Sequence, residues 1–321
     1  MHSGERVEER GEGSLTPARP FGDTLAARVA ERESQLVLGL DPDPTDLWPG
    51  SGGPSADLEP HEAAGRAVLA HCCSLIDATA HACVAVKPQL ARFEVLGARG
   101  RVVLGEVVAH ARRAGLLVIA DGKRGDIDVT AQAYARALMG GTDSPFGHLE
   151  GLGADLVTVN PLMGSDAVEP FVTAAREAGA GVLVLVRTSN PGAADFEDLE
   201  VGGSVAMWEK IAEMVDELGR SHVGAAGLSD VGAVVGATEP GHLARARELM
   251  PAAIFLLPGI GAQGGRVEDL ARAYEPGRAG GLVSASRSIA SAYRELGGTP
   301  AAAARAEAER LREAAWALSE V

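Results

Sequence analysis

The residues best equipped for chemistry stand in one short run, Leu117-Val-Ile-Ala-Asp-Gly-Lys-Arg-Gly-Asp126. An apolar stretch ends there and delivers Asp121, Lys123 and Asp126 in a tight turn. Alternate side chains of an extended chain point the same way, so Asp121 and Lys123 are expected on one side, with Asp126 just beyond. Carboxylates beside an ammonium group hold it protonated, and it holds them ionised. Taken alone, Asp-x-Lys is better read as an ordinary surface salt bridge. Lys87 changes the balance, because it closes the preceding apolar run, Val84-Ala-Val-Lys-Pro-Gln. A lysine at a strand end is costly to bury unless anions await it. Side by side, the two segments would form an alternating Lys–Asp–Lys–Asp array. Such an array suits a reaction that leaves negative charge on carbon: a fixed ammonium stabilises that charge without reorganising, then supplies a proton as general acid. This chemistry requires neither a metal nor an organic cofactor.

The elements that must position these groups are short, largely apolar runs bounded by turn residues. They lie at Gln35–Leu40, Cys83–Val86, Leu116–Ala120, Asp155–Val159, Gly181–Val186, Val231–Val235, Ala253–Leu257 and Gly281–Ser284. Runs of this kind are expected of strands buried on both faces. Segments of helical periodicity separate them. One carries Ala64, Val68, Cys72, Ile76 and Thr79 on a single face; another carries Val205, Trp208, Ile211 and Val215 behind Ser204, a suitable N-cap. Eight strands alternating with helices predict a single-domain (β/α)₈ barrel. A doubly wound sheet shows the same alternation, but here polar residues end strand after strand: Asp41, Lys87, Asp121, Asn160, Ser189 and Arg287. Only a closed barrel brings all those ends to one place. Residues 1–19 are polar and read as a mobile tail, ahead of a barrel over 20–321. Phe21, Leu25 and Val29 begin that ordered part at helical spacing, and Pro300–Glu320 reads as a C-terminal surface helix. Gly50–Pro60 and Asn190–Gly203 read as the longest loops.

Charge and composition limit the partners. A net charge of −15 repels polyanions, which argues against nucleic acid as a partner. A small phosphorylated substrate is compatible with it, since a few cations in a cleft override the global field. Cys72, Cys73 and Cys83 match neither a disulfide framework nor a zinc site and read as core filler in a reducing compartment. His61, His71, His81, His110, His148, His222 and His242 show no metal-ligand pairing. Nothing at the N-terminus resembles a signal peptide, and no apolar run is long enough to span a bilayer. The expected location is therefore the cytoplasm, with no membrane association.

Gly259-x-Gly261-x-x-Gly264 follows an apolar run and precedes a helical one, as in a dinucleotide fingerprint. It comes after six strands, however, and the next strand ends in Ser284-Ala-Ser-Arg287 where a Rossmann site would have an acid. A phosphate loop after the seventh strand, completed by Arg287 after the eighth, fits a barrel better. Gln263 would bond the phosphate from that loop, and Arg287 offers a planar fork for two of its oxygens.

Taken together, Gly39-Leu-Asp-Pro, Val86-Lys-Pro-Gln, Asp121-Gly-Lys-Arg-Gly-Asp-Ile, Arg187-Thr-Ser-Asn-Pro-Gly, Val235-Gly-Ala-Thr, Pro258-Gly-Ile-Gly-Ala-Gln-Gly-Gly and Ser286-Arg-Ser-Ile resemble the orotidine 5′-phosphate decarboxylases, particularly their longer bacterial subfamily. The resemblance spans roughly residues 35–290. It implies a homodimer that converts orotidine monophosphate to uridine monophosphate and CO₂ in pyrimidine synthesis, without a cofactor. Lys123 would donate the proton to C6 and Asp121 would lie beside the departing carboxylate. Lys87 would complete the array and touch the ribose. Asp126 and Thr130 would reach the neighbouring subunit's ribose, Asp41 would hold a ribose hydroxyl, and Ser189 would read the pyrimidine. Asn160 and Met163 would shape the floor of the site, and Arg187 reads as structural. Asp128 departs from the family pattern and reads as solvent-facing. Two alternatives stand beside this reading: a magnesium-dependent sugar-phosphate lyase or decarboxylase of the same barrel superfamily, which would place a carboxylate at position 87, and a catalytically silent nucleotide-binding protein.

Overall fold

A computed structural model describes residues 19–320, apart from Ala56, Thr238 and residues 261–263. The expected tail over 1–19 therefore lies almost wholly outside the described residues. Eight parallel strands close into a barrel: β1 (Leu36–Leu40), β2 (Ala85–Pro88), β3 (Leu117–Arg124), β4 (Leu156–Val159), β5 (Gly181–Arg187), β6 (Val231–Val235), β7 (Phe255–Leu257) and β8 (Gly281–Ala285). Each strand pairs with its neighbours in sequence, and β8 returns to β1 through Leu36↔Val283 and Leu38↔Ala285. The predicted (β/α)₈ barrel is observed. All eight predicted strands are present, with ends displaced by a few residues.

Eight long helices accompany the strands: α1 (Phe21–Arg32), α2 (Pro60–Thr79), α3 (Ala98–Arg113), α4 (Asp128–Leu138), α5 (Ser165–Ala178), α6 (Met207–Gly219), α7 (Pro240–Leu249) and α8 (Pro300–Leu318). A 3₁₀ segment, Val267–Tyr274, replaces a full helix after β7. Strand alternation sorts the core into two layers. Val37, Ala85, Ile119, Leu183, Leu256 and Leu282 fill the barrel with Phe21, Leu25 and Val29 of α1, which plugs its N-terminal end. Leu36, Leu38, Val118, Val157 and Val184 face outward, in one cluster with Val68, Cys72 and Ile76 of α2 and Trp208 and Val215 of α6. The face predicted for α2 is thus the buried one. The alanine-rich α8 also has a buried stripe, Ala304, Ala308, Leu311 and Ala315, and packs on α2.

One local reading needs correction. Ser204 does not cap α6: it has φ +62° and lies inside the turn closed by an isolated bridge between Glu200 and Ala206. The helix begins at Met207, and Glu209 secures it by accepting the Ala206 N–H at 3.0 Å. A two-stranded hairpin, Thr142–Ser144 with Gly147–Leu149, stands between α4 and β4. No helix among the described residues is long and apolar enough to cross a membrane.

At the N-terminal end of the barrel, buried Arg247 ties segments together by donating to the carbonyls of Met250, Ala253, Ala273 and Gly280. Conserving closure there leaves the opposite rim free for function, the usual division of labour in such barrels.

Candidate active site

The β2–β3–β4 side of the C-terminal rim carries a cluster of two lysines around a buried carboxylate. Lys87, the third residue of β2, has a side chain only 10% exposed, and Asp121 on β3 only 6%. Lys87 Nζ donates to Asp121 Oδ2 at 2.7 Å, and Lys123 Nζ donates to Oδ1 at 2.6 Å. Two neutral groups complete the shell: Gln89 Nε2 donates to Oδ2 at 3.2 Å and Thr158 Oγ1 to Oδ1 at 3.0 Å. Burial pushes the Asp121 carboxyl up, but the charges and hydrogen bonds of the two lysines outweigh it and hold the group at about 2. Lys123 is 44% exposed, so its ammonium reaches from the buried carboxylate into an open cavity.

That cavity, of about 490 Å³, is lined by Lys87, Asp121, Lys123, Thr158, Ser189 and Glu197 among others. The segment after β5 forms its far wall. Arg187 grips Asp198 through two parallel bonds of 2.8 and 2.9 Å, a geometry that adds direction to charge. Glu197 accepts the Thr188 N–H at 2.8 Å and its hydroxyl at 2.9 Å. Arg187 is thus a strut, as its structural reading anticipates, and the strut holds Thr188 and Ser189 against the cavity. Leu185, Val234, Leu256 and Pro258 supply an apolar side.

A second cavity, of about 430 Å³, opens on the β1–β8 side of the same rim and is lined by Asp41, Arg92, Trp48, His71 and Arg287. A Cβ on Gly39 would stand 2.6 Å from Ser286 Cβ, so only glycine lets β1 pass this close to the turn that presents Arg287. Trp48 ties the loop after β1 to the short helix Arg287–Ala290 by donating its indole N–H to the Ala290 carbonyl at 2.7 Å. Its backbone N–H donates to Nδ1 of His71, whose burial holds the imidazole below its usual range. Asp41 and Arg287 are both exposed. The glycine loop is pinched at its base, where Gly265 N–H donates to the Gly259 carbonyl at 3.1 Å and Ile260 bridges Gly265. Gln263 lies outside the described residues.

The remaining predicted residues sit apart from both cavities. Asp126 is half-buried and caps its own turn by accepting the Ile127 N–H at 2.8 Å. Thr130 is exposed in the first turn of α4. Asp128 is exposed and lines a groove between α4 and α5. Asn160 and Met163 do not line the reaction cavity: β4 ends at Val159, both residues are exposed, and Asn160 accepts the Leu162 N–H. The inward-facing residue of that strand at the rim is Thr158, which lines the reaction cavity.

Residues 34–306 match the family described as orotidine 5′-phosphate decarboxylase / HUMPS. The chain belongs to the orotidine 5′-phosphate decarboxylase / HUMPS family. Similar members include the orotidine 5′-phosphate decarboxylase of Rhodopirellula baltica, 43% identical over 85% of this chain and 89% of that protein. That of Deinococcus radiodurans is 42% identical over 86% of this chain and 90% of its own length. Among solved structures, Leishmania donovani OMP decarboxylase aligns with a TM-score of 0.69 and 33% identity, covering 94% of this chain and all of that one (100%). Within this orotidine 5′-phosphate decarboxylase / HUMPS chain, three groups escape a reading of sequence alone: Gln89, which bonds Asp121, and Thr158 and Glu197, which line the reaction cavity. Gln89 stands two residues beyond Lys87, so strand alternation offers a signal for it. A threonine within Leu-Val-Thr-Val looks like ordinary strand composition, and Glu197 gains its place only through loop folding.

Proposed function

We propose that this protein decarboxylates orotidine 5′-phosphate, giving uridine 5′-phosphate and CO₂. The observation that carries this reading is Asp121 held between Lys87 and Lys123 at 2.7 and 2.6 Å beside one open cavity. The C6–carboxylate bond breaks, CO₂ departs, and the electron pair stays on C6. Lys123 stabilises that charge because its ammonium is already in place, then transfers one proton to C6 as general acid. Its exposed side allows reprotonation from water. Asp121 orients both lysines and flanks the departing carboxylate.

The substrate spans the two cavities. The pyrimidine lies by Ser189 and the strut-held loop, Asp41 and Lys87 hold the ribose, and Arg287 with Gln263 and the glycine loop grips the phosphate. The active form is a homodimer in which Asp126 and Thr130 complete the partner's site. Exposed Ile127 and Val129 flank these two residues, with exposed Leu162 and Met163 on the next rim loop, an apolar grouping suited to a protein interface. We place the enzyme in the cytoplasm; its three free cysteines, two of them buried, suit a reducing compartment.

The test follows the absorbance of orotidine monophosphate with purified, EDTA-treated protein. Undiminished decarboxylation is expected. Activity that disappears on chelation and returns with magnesium would favour the metal-dependent lyase. Tight uridine-phosphate binding with no turnover would favour a silent nucleotide-binding protein.

A further inference from the structure

We infer that Thr158 is a positioning residue for the proton donor, an inference that rests on the decarboxylase reading. The ladder between β3 and β4 is regular through Ala120↔Val157, then jumps to Arg124↔Val159. Asp121, Gly122 and Lys123 therefore bulge away from a partner strand that offers only Thr158 opposite them. Bulges of this kind re-aim side chains and leave backbone groups unpaired. Here Lys123 sits at φ +47°, a left-handed conformation that lysine rarely adopts.

One hydroxyl compensates for both disturbances. Thr158 Oγ1 accepts the Lys123 N–H at 2.9 Å, replacing the lost ladder bond. It donates its single hydrogen to Asp121 Oδ1 at 3.0 Å, the oxygen that also receives Lys123 Nζ at 2.6 Å. A closed ring results, running from the Lys123 backbone through Thr158 and Asp121 to the Lys123 ammonium. The backbone and the tip of the same lysine are fixed to one carboxylate. Thr158 is 1% exposed, so a valine of similar shape leaves no room for a water to substitute. Without the hydroxyl, the Lys123 N–H loses its partner and the strained backbone loses its anchor. The ammonium then drifts from the position where C6 must receive its proton.

Thr158→Val is expected to lower kcat between about 10-fold and 100-fold, the scale for misplacing a reacting group by about 1 Å. KM for orotidine monophosphate and Kd for uridine monophosphate are expected to change less than about 3-fold, because Thr158 lies away from the phosphate cavity. Thr158→Ser, which keeps the hydroxyl, should recover most of the lost kcat. If Thr158→Val does not accumulate folded, Thr158→Cys, with its weak donor and acceptor, replaces it in the same comparison. An active wild type matched in kcat by the hydroxyl-free variant would overturn this inference alone, and so would a serine variant no better than valine. A wild type inert toward orotidine monophosphate would overturn the parent reading and this inference with it.

Discussion

The two ends of the proposed site are built on different principles. At the reaction end, Asp121 is buried and receives four hydrogen bonds, two of them from lysines, all from residues on or just after adjacent barrel strands. At the phosphate end, Asp41 and Arg287 are exposed, and Arg287 opens a helix of only four residues. The first arrangement is fixed before substrate arrives, as electrostatic stabilisation of a developing charge demands. The second consists of groups free to adapt to an anion that is present throughout the reaction. Phosphate contacts spend their energy on holding the substrate; the lysine array spends its energy on the transition state. Substitutions at the two ends should therefore separate kcat from KM.

The largest effect is expected from Lys123→Ala. It removes the proton donor, worth about 10²–10⁴-fold, together with the nearest positive charge, worth a further 10²–10³-fold or so. A fall in kcat of at least about 10⁴-fold should follow, with the melting temperature near that of wild type because Asp121 keeps its buried partner Lys87. Steady-state rates and thermal unfolding on the same preparation check both halves. Wild-type-like turnover would remove Lys123 from the chemistry and erase the distinction between the two ends.

How much of this contrast is legible in the sequence depends on how local its causes are. Apolar runs bounded by turns mark all eight strands, because a parallel barrel strand is buried on both faces and shows it in composition. Asp121, Lys123 and Lys87 are legible as well, since charges placed at strand ends stand out against such runs. The extension of β3 to Arg124 is not: Asp-Gly-Lys-Arg has turn composition, and only pairing with Val159 across a bulge keeps it in the sheet. Thr158 is hidden for the same reason, its role arising from what the bulge leaves unpaired. Ser204 fails as a cap because the loop after β5 folds back on itself, through Glu197 and Asp198 on Arg187 and Thr188, and delays the helix to Met207. Tertiary pairing decides each of these positions, and neither propensity nor spacing contains it.

At the phosphate end, Arg287→Ala should raise KM for orotidine monophosphate by roughly 10-fold to 100-fold, the value of one charge-assisted hydrogen bond at about 1.5–3 kcal/mol. The free nucleoside, which lacks the phosphate, should be processed as by wild type, and stability should not change because the side chain is exposed. Equal losses for nucleotide and nucleoside would reject the phosphate assignment. A collapse in stability would show that this end, too, is part of the framework.

The smallest effect concerns acid. In the folded chain the Asp121 carboxyl titrates at about 2, against an ordinary value of 3.8, because the charges and bonds of two lysines outweigh its burial. A depressed carboxyl contributes stability that is fully present above its unfolded value and is lost as pH falls through its folded value. For Asp121 that window runs from about pH 4 down to about pH 2. Asp121→Asn abolishes the titration, so unfolding free energy measured in urea across this window should fall less steeply in the variant than in wild type. Arg287→Ala should leave the wild-type slope unaltered. Half-buried carboxylates that are also held low, such as Asp43 and Glu309, contribute equally to all three proteins and cancel from the comparison. Parallel slopes for wild type and Asp121→Asn would mean that the reaction-end carboxylate is no more tightly held than the surface ones.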